Sequence, residues 1–163
     1  MGAPLNVLFL CTHNSARSVL AECLLNHLGG GRFRAFSAGS QPSGRVNPFA
    51  LQALAEAGVD TTGVRSKSWD TFAEPGAPQM DLIITVCDSA AGELCPVWPG
   101  HPATAHWGYA DPSAATGPDA ARLMAFRDTM ALIRRRLEIL VALPAERLDA
   151  LRLEQTARSL ADR

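Results

Sequence analysis

The stretch VLFLCTHNSARSVLAE, residues 7–22, runs from strand-forming apolar residues into a cysteine, then five small or polar residues, then an arginine. A buried strand that ends on a structural cysteine needs no arginine six positions later, so the spacing calls for a chemical reason. On its amino-terminal side the apolar run begins at Leu5. On its carboxy-terminal side Val19, Leu20, Cys23, Leu24 and Leu28 recur at helical spacing until Gly29-Gly30-Gly31 stops them. The unit reads as strand, loop, helix.

A loop of this kind can aim successive backbone N–H groups inward, and the helix beyond it adds the positive end of its dipole. Together they make a cradle for a tetrahedral oxyanion, formed by Thr12, His13, Asn14, Ser15, Ala16, Arg17 and Ser18, with Cys11 at its floor. The N–H groups and Arg17 favour thiolate over thiol at Cys11. Arg17, expected two residues into the helix, offers a planar two-pronged donor that lysine cannot copy. Ser15 and Ser18 are candidates to cap the helix or donate to the sulfur, and Asn14 to brace the loop through its amide.

The same pattern recurs downstream. RFRAFSAG, residues 32–39, alternates like a short strand, and Asn47-Pro48 opens a helix that runs to Gly58. MDLIITVC, residues 80–87, is a buried-type strand ending on Cys87. ATAHWGYADP, residues 103–112, is a shorter strand leading to a turn, and Leu123 to Leu140 is a long amphipathic helix. Strands alternating with helices imply an α/β fold, here a four-stranded, mainly parallel sheet with helices on both faces. Function in such sheets sits at the carboxyl ends of the strands. Cys11, Cys87 and Asp111 all fall there.

With 163 residues, 47% of them hydrophobic, the chain suits one domain with one core, taken as residues 1–143. Residues 144–163 read as an extra C-terminal helix, packed on that domain or used for association. A net charge of −1 with scattered basic residues argues against nucleic acid as a partner. No apolar stretch approaches the roughly 20 residues of a membrane helix, and MGAPLN has Asn6 where a myristoylation signal wants Ser or Thr. The expectation is a cytoplasmic protein without a membrane partner. Cys11, Cys23, Cys87 and Cys95 show no zinc-type spacing, so no metal is expected. Cys23 lies on the apolar stripe of the first helix and reads as core.

At VLFLCTHNSARSVLAE the chain resembles the phosphate loop of the low-molecular-weight protein tyrosine phosphatase fold family, and Asp111-Pro112 is similar to that family's general-acid loop. The resemblance spans about Leu5 to Leu140. It implies that fold and one of two chemistries on a shared cradle, phosphate-ester hydrolysis or arsenate reduction. The phosphatases usually carry tyrosines just past the Asp-Pro and a cysteine just before the loop arginine; here SAATG follows, and position 16 is alanine. TVCDSAAGELCPVWPG, residues 85–100, and HWGYADP, residues 106–112, instead resemble the arsenate reductases of this fold, which pass oxidising equivalents through three thiols. SAGSQPSGRVNP, residues 37–48, is similar to the family's second loop without separating the branches.

The resemblance therefore implies an arsenate reductase with Cys11 as nucleophile, Arg17 as oxyanion clamp, Asp111 as acid, and Cys87 and Cys95 as the thiol relay. No bound cofactor is expected. The reductant is an external thiol, either thioredoxin, glutathione with glutaredoxin, or another low-molecular-weight thiol, so the partners are an arsenate- or phosphate-like oxyanion and a thiol-redox protein. The second reading is a phosphatase working through a phosphocysteine, which needs only Cys11, Arg17 and Asp111. A third is a non-catalytic oxyanion-binding or redox-sensing module, against which the intact Cys, Arg and Asp set argues. His13 stands where the family's loop often has glycine. This implies either a slightly different loop geometry or a role at the entrance, because histidine tolerates positive φ less well.

Overall fold

The computed structural model describes residues 4–86, 103–144 and 146–147. Strand β1 (Leu5–Leu10) is followed by helix α1 (Arg17–Leu28), strand β2 (Phe33–Ala38), helix α2 (Pro48–Glu56), strands β3 (Leu82–Thr85) and β4 (Ala103–His106), and helix α3 (Asp119–Val141). Two short 3₁₀ turns, Trp69–Phe72 and Pro112–Ala114, interrupt the connections. The sheet has the order β2-β1-β3-β4 and every pairing is parallel. The α/β expectation with four parallel strands holds. The C-terminal helix expected over 144–163 lies almost wholly outside the described residues.

Central position explains the composition of β1. Leu5, Val7, Leu8, Phe9 and Leu10 are each 1% exposed or less, because a strand flanked by two others and covered on both faces has no solvent side. Burying side chains of this size stabilises by roughly 1.5–3 kcal/mol each, which makes the strand leading to Cys11 a rigid support. Leu5, Val7 and Phe9 face the core shared with α1, α2 and α3; Leu8 and Leu10 face a smaller cluster with Trp69, Phe72 and Met80. Among the described residues, one face is covered by α1, α2 and α3 and the other by the Trp69–Phe72 turn and the segment after it.

Local signals set the helix ends. Asn47 caps α2 by accepting from the Phe49 N–H at 2.9 Å, with Pro48 at the first helical position. The last turn of α3 is held from the lead-in to β2: the Arg32 guanidinium donates to the carbonyls of Val141 and Leu143, both at 2.9 Å. A cation on these orphan carbonyls suits the negative end of the helix dipole. The exposed Arg127–Glu56 pair at 2.6 Å links α3 to α2 and contributes little to stability. No helix among the described residues is long and apolar enough to cross a membrane.

Candidate functional site

The sheet order places β2 on one side of β1 and β3 on the other, so the chain leaves β1 at the point where the winding direction reverses. Crevices open at the carboxyl ends of strands at such points. Cys11 is the residue there, 3% exposed, its N–H donating to the Ala38 carbonyl at 3.2 Å.

The loop after it is tied down from outside. Thr12 C=O accepts from Gln41 N at 2.8 Å, His13 C=O from Ser43 N and from Ser66 Oγ at 3.0 Å each, and Ser15 C=O from Asn47 N at 2.9 Å. In a planar trans peptide the C=O and the next N–H point opposite ways. Outward carbonyls therefore turn the N–H groups of His13, Asn14 and Ala16 toward the other side of the loop, the arrangement an anion-binding concavity needs.

The left-handed position in this loop is Asn14, with φ 49°, the one non-glycine residue at positive φ among those described. His13 escapes the strain its identity suggested; its side chain is exposed and its carbonyl accepts two of the loop's outer bonds. Asparagine tolerates this conformation better than most residues, and Asn14 is fully buried with its amide engaged. It donates to Ser18 Oγ at 2.8 Å and to Ser37 Oγ at 2.9 Å, and it accepts from Lys67 N at 2.9 Å. The bracing role expected of Asn14 is seen. The capping role offered for Ser15 and Ser18 is not, since Ala16 is the N-cap without a side-chain cap and Ser18 instead accepts from Asn14. Asn14→Ala would strand buried donors and acceptors, each costing about 1–3 kcal/mol. We expect thermal unfolding to show a melting temperature lower by about 10 °C; a drop under about 2 °C would show that the network is not holding the loop.

Behind Asn14 the polar chain continues. Ser37 Oγ donates to Glu22 Oε1 at 2.5 Å, and the Lys67 ammonium lies 3.8 Å from the same oxygen. Burial pushes the Glu22 carboxyl above its ordinary value, opposed by the Ser37 hydrogen bond and the Lys67 charge. Burial likewise pushes the Lys67 ammonium below its ordinary value, opposed by Glu22. Sequence reasoning missed Lys67, because no local pattern joins it to a residue 45 positions earlier. The Gly39–Ser68 bridge and the Lys67 N–H bond to Asn14 Oδ1 bring that segment beside the loop.

Arg17 is the first residue of α1 rather than two residues in. Its Nη1 donates to the Tyr109 carbonyl at 2.9 Å and its Nη2 lies 3.7 Å from Asp111 Oδ2. The side chain is 12% exposed, and its Nε is buried with no acceptor among the described residues. Asp111 is 38% exposed and does two things: Oδ1 caps the following 3₁₀ turn, accepting from Ser113 N and Oγ at 2.9 and 2.7 Å, while Oδ2 faces Arg17. Cys11, Arg17 and Asp111 thus share one rim. Cys87 and Cys95 lie outside the described residues; Val86, the residue before Cys87, donates its N–H to the Leu10 carbonyl at 2.9 Å, one residue from Cys11. Cys23 is core as expected, and burial, reinforced by Glu22 and Asp60, pushes its thiol up to about 12. Among the described residues no group of three or more His, Cys, Asp or Glu is placed to hold a metal. His106 pairs with Thr85, Nδ1 to Oγ1 at 2.6 Å, a contact across the ends of β3 and β4.

The family model for low molecular weight phosphotyrosine protein phosphatase matches residues 6–154. An arsenate reductase of Halalkalibacterium halodurans is 35% identical over 132 residues, 81% of this chain and 91% of that protein. A crystal structure of arsenate reductase from Archaeoglobus fulgidus superposes with TM-score 0.65 at 31% identity, covering 84% of this chain and 99% of that one. A structure described as an arsenate reductase in the phosphate binding state gives TM-score 0.65 at 30% identity over 85% and 97% of the two chains. Another, an arsenate reductase in oxidized state, gives 0.67 at 29% over 84% and 96%.

Proposed function

Since this chain belongs to the low molecular weight phosphotyrosine protein phosphatase family, we propose that it works as an arsenate reductase, with Cys11 as nucleophile and Cys87 and Cys95 as a thiol relay. The observation that carries the chemistry is the rim itself, where a buried cysteine at the end of β1, a loop with its carbonyls bonded outward, and an arginine backed by Asp111 converge. The kinship with arsenate reductases chooses the substrate, because arsenate and phosphate have nearly the same shape and charge and a cradle of N–H groups cannot separate them.

Arsenate binds in the loop against the inward N–H groups and Arg17. The Cys11 thiolate attacks arsenic, an As–S bond forms, and one oxygen leaves as water after accepting a proton from Asp111. Cys87 then attacks the Cys11 sulfur, and the As–S electron pair stays with arsenic. Arsenic is reduced from As(V) to As(III), arsenite departs, and the two sulfurs are oxidised to a disulfide. Cys95 attacks Cys87, Cys11 leaves as thiolate, and the Cys87–Cys95 disulfide is returned to thiols by an external thiol reductant. A single thiol could not supply both electrons and end in a stable state.

Single-turnover measurement tests this directly. Fully reduced protein with excess arsenate and no reductant is expected to release about one arsenite per chain and to carry a Cys87–Cys95 disulfide, both lost in Cys87→Ser. Absence of arsenite, with steady hydrolysis of an aryl phosphate that survives Cys87→Ser, would assign the site to phosphate-ester hydrolysis instead.

A further inference from the structure

The segment that brings Asp111 to the site is not held by the sheet alone. Beyond the end of β4, Trp107 N donates to the Thr85 carbonyl at 2.8 Å and Tyr109 N, at 3.3 Å, to the carbonyl of Val86, the last described residue on the β3 side. The Tyr109 carbonyl is the acceptor for Arg17, so the orientation of that one peptide sets where the guanidinium points.

The Tyr109 ring is gripped from α3. The guanidinium carbon of Arg136 lies 5.2 Å from the Tyr109 ring centre and 5.8 Å from that of Trp107, within the range of cation–π attraction. Trp107 in turn packs on Phe9 of β1, ring centres 6.4 Å apart. A cation on one helix thus clamps two consecutive aromatic positions of the segment against the strand that ends on Cys11.

We infer that Arg136 is a positioning residue for the oxyanion site: by clamping Trp107 and Tyr109 it fixes the Tyr109 carbonyl that orients Arg17, and with it the approach of Asp111. The inference rests on the oxyanion-binding reading given above. Arg136 acts on the site through the Trp107 and Tyr109 rings. Its neighbours Ile133 and Leu137 carry the buried face of α3, while Arg136 is exposed, so its replacement leaves the core intact.

Tyr109 is the single tyrosine of the chain, which gives the contact its own spectroscopic signature. Burial raises the phenol above its ordinary value and the Arg136 charge opposes that rise, so removing the charge moves the phenolate titration to higher pH. In Arg136→Leu the ultraviolet titration of the phenol is expected to move upward. The affinity for inorganic phosphate, measured by calorimetry, is expected to weaken about tenfold, with the KM for arsenate following it and the melting temperature nearly unchanged. Arg136→Lys, which keeps a cation over the rings, is expected to recover most of both. A shifted titration with phosphate affinity within twofold of the wild type would overturn the positioning role, and so would an unshifted titration. Failure of the wild-type protein to bind phosphate at all would instead overturn the oxyanion reading, and this inference with it.

Discussion

Cys11→Ser is expected to reduce arsenite formation to the uncatalysed level, a loss on the order of 10⁴-fold or more, while inorganic phosphate still binds. A hydroxyl in place of the thiol keeps the size of the group at the floor of the loop. Serine, however, cannot be ionised there to a useful extent, and it cannot end the reaction in a disulfide. The contrast is Cys23→Ala. That thiol is buried among Leu20 and Leu24 and is held protonated by its apolar surroundings and by Glu22, so its removal is expected to leave the arsenite burst at about one per chain. Turnover of Cys11→Ser at even a hundredth of the wild-type rate would remove Cys11 from the nucleophile's role. The pair of variants separates a cysteine placed for chemistry from one placed for packing.

Gly39→Ala is expected to lower kcat/KM about a hundredfold without touching a reacting group. A Cβ at this position would lie 2.5 Å from the Thr12 carbonyl oxygen, 2.7 Å from that of Cys11 and 3.0 Å from the Asn14 nitrogen. All three are backbone atoms, so no side chain can rotate aside, and the loop has to move by on the order of 0.5–1 Å, a displacement that costs about 10² in rate at a reacting centre. Gly39 cannot retreat either, because its N–H donates to the Lys67 carbonyl and its carbonyl accepts from Trp69 N, each at 2.9 Å. Overpacking of this kind costs about 1–3 kcal/mol, and the melting temperature is expected to fall by about 5 °C. Single-turnover arsenite rates within threefold of the wild type would show that the close approach of the two loops does not set the geometry.

What the amino-acid sequence disclosed depended on the range of the signal. β1 and its loop were legible because a continuous apolar run, a cysteine and an arginine stand within a dozen residues, and α2 because Asn47-Pro48 is a strong start. α3 begins at Asp119, four residues before the expected Leu123, because its first turn is small and polar and carries no apolar period. The Trp69–Phe72 turn is too short to show any period at all. In the site, Cys11 and Asp111 could be placed on one rim from strand ends alone, and Arg17 from its spacing after Cys11. The shift of the left-handed residue from His13 to Asn14 could not, since it depends on which carbonyls the 41–47 and 66–67 segments reach. Lys67 and Arg136 escaped for the same reason: their partners are far away in sequence, and Arg136 is one of three consecutive arginines of which the fold selects a single member to stack on the rim.

The outward bonding of the loop carbonyls has an energetic consequence. An oxyanion in water is stabilised by dipoles that must turn toward it, and turning them takes free energy at each encounter. Here the peptides of His13, Asn14 and Ala16 are turned once, on folding, by donors from Gln41, Ser43, Asn47 and Ser66 on the loop's outer side. In the proposed reaction the reorganisation is therefore complete before charge develops on the oxyanion, the condition under which fixed dipoles lower a barrier most. On the proposed mechanism, the work of the loop is shared by the segments behind it, whose donors fix its peptides from the outer side.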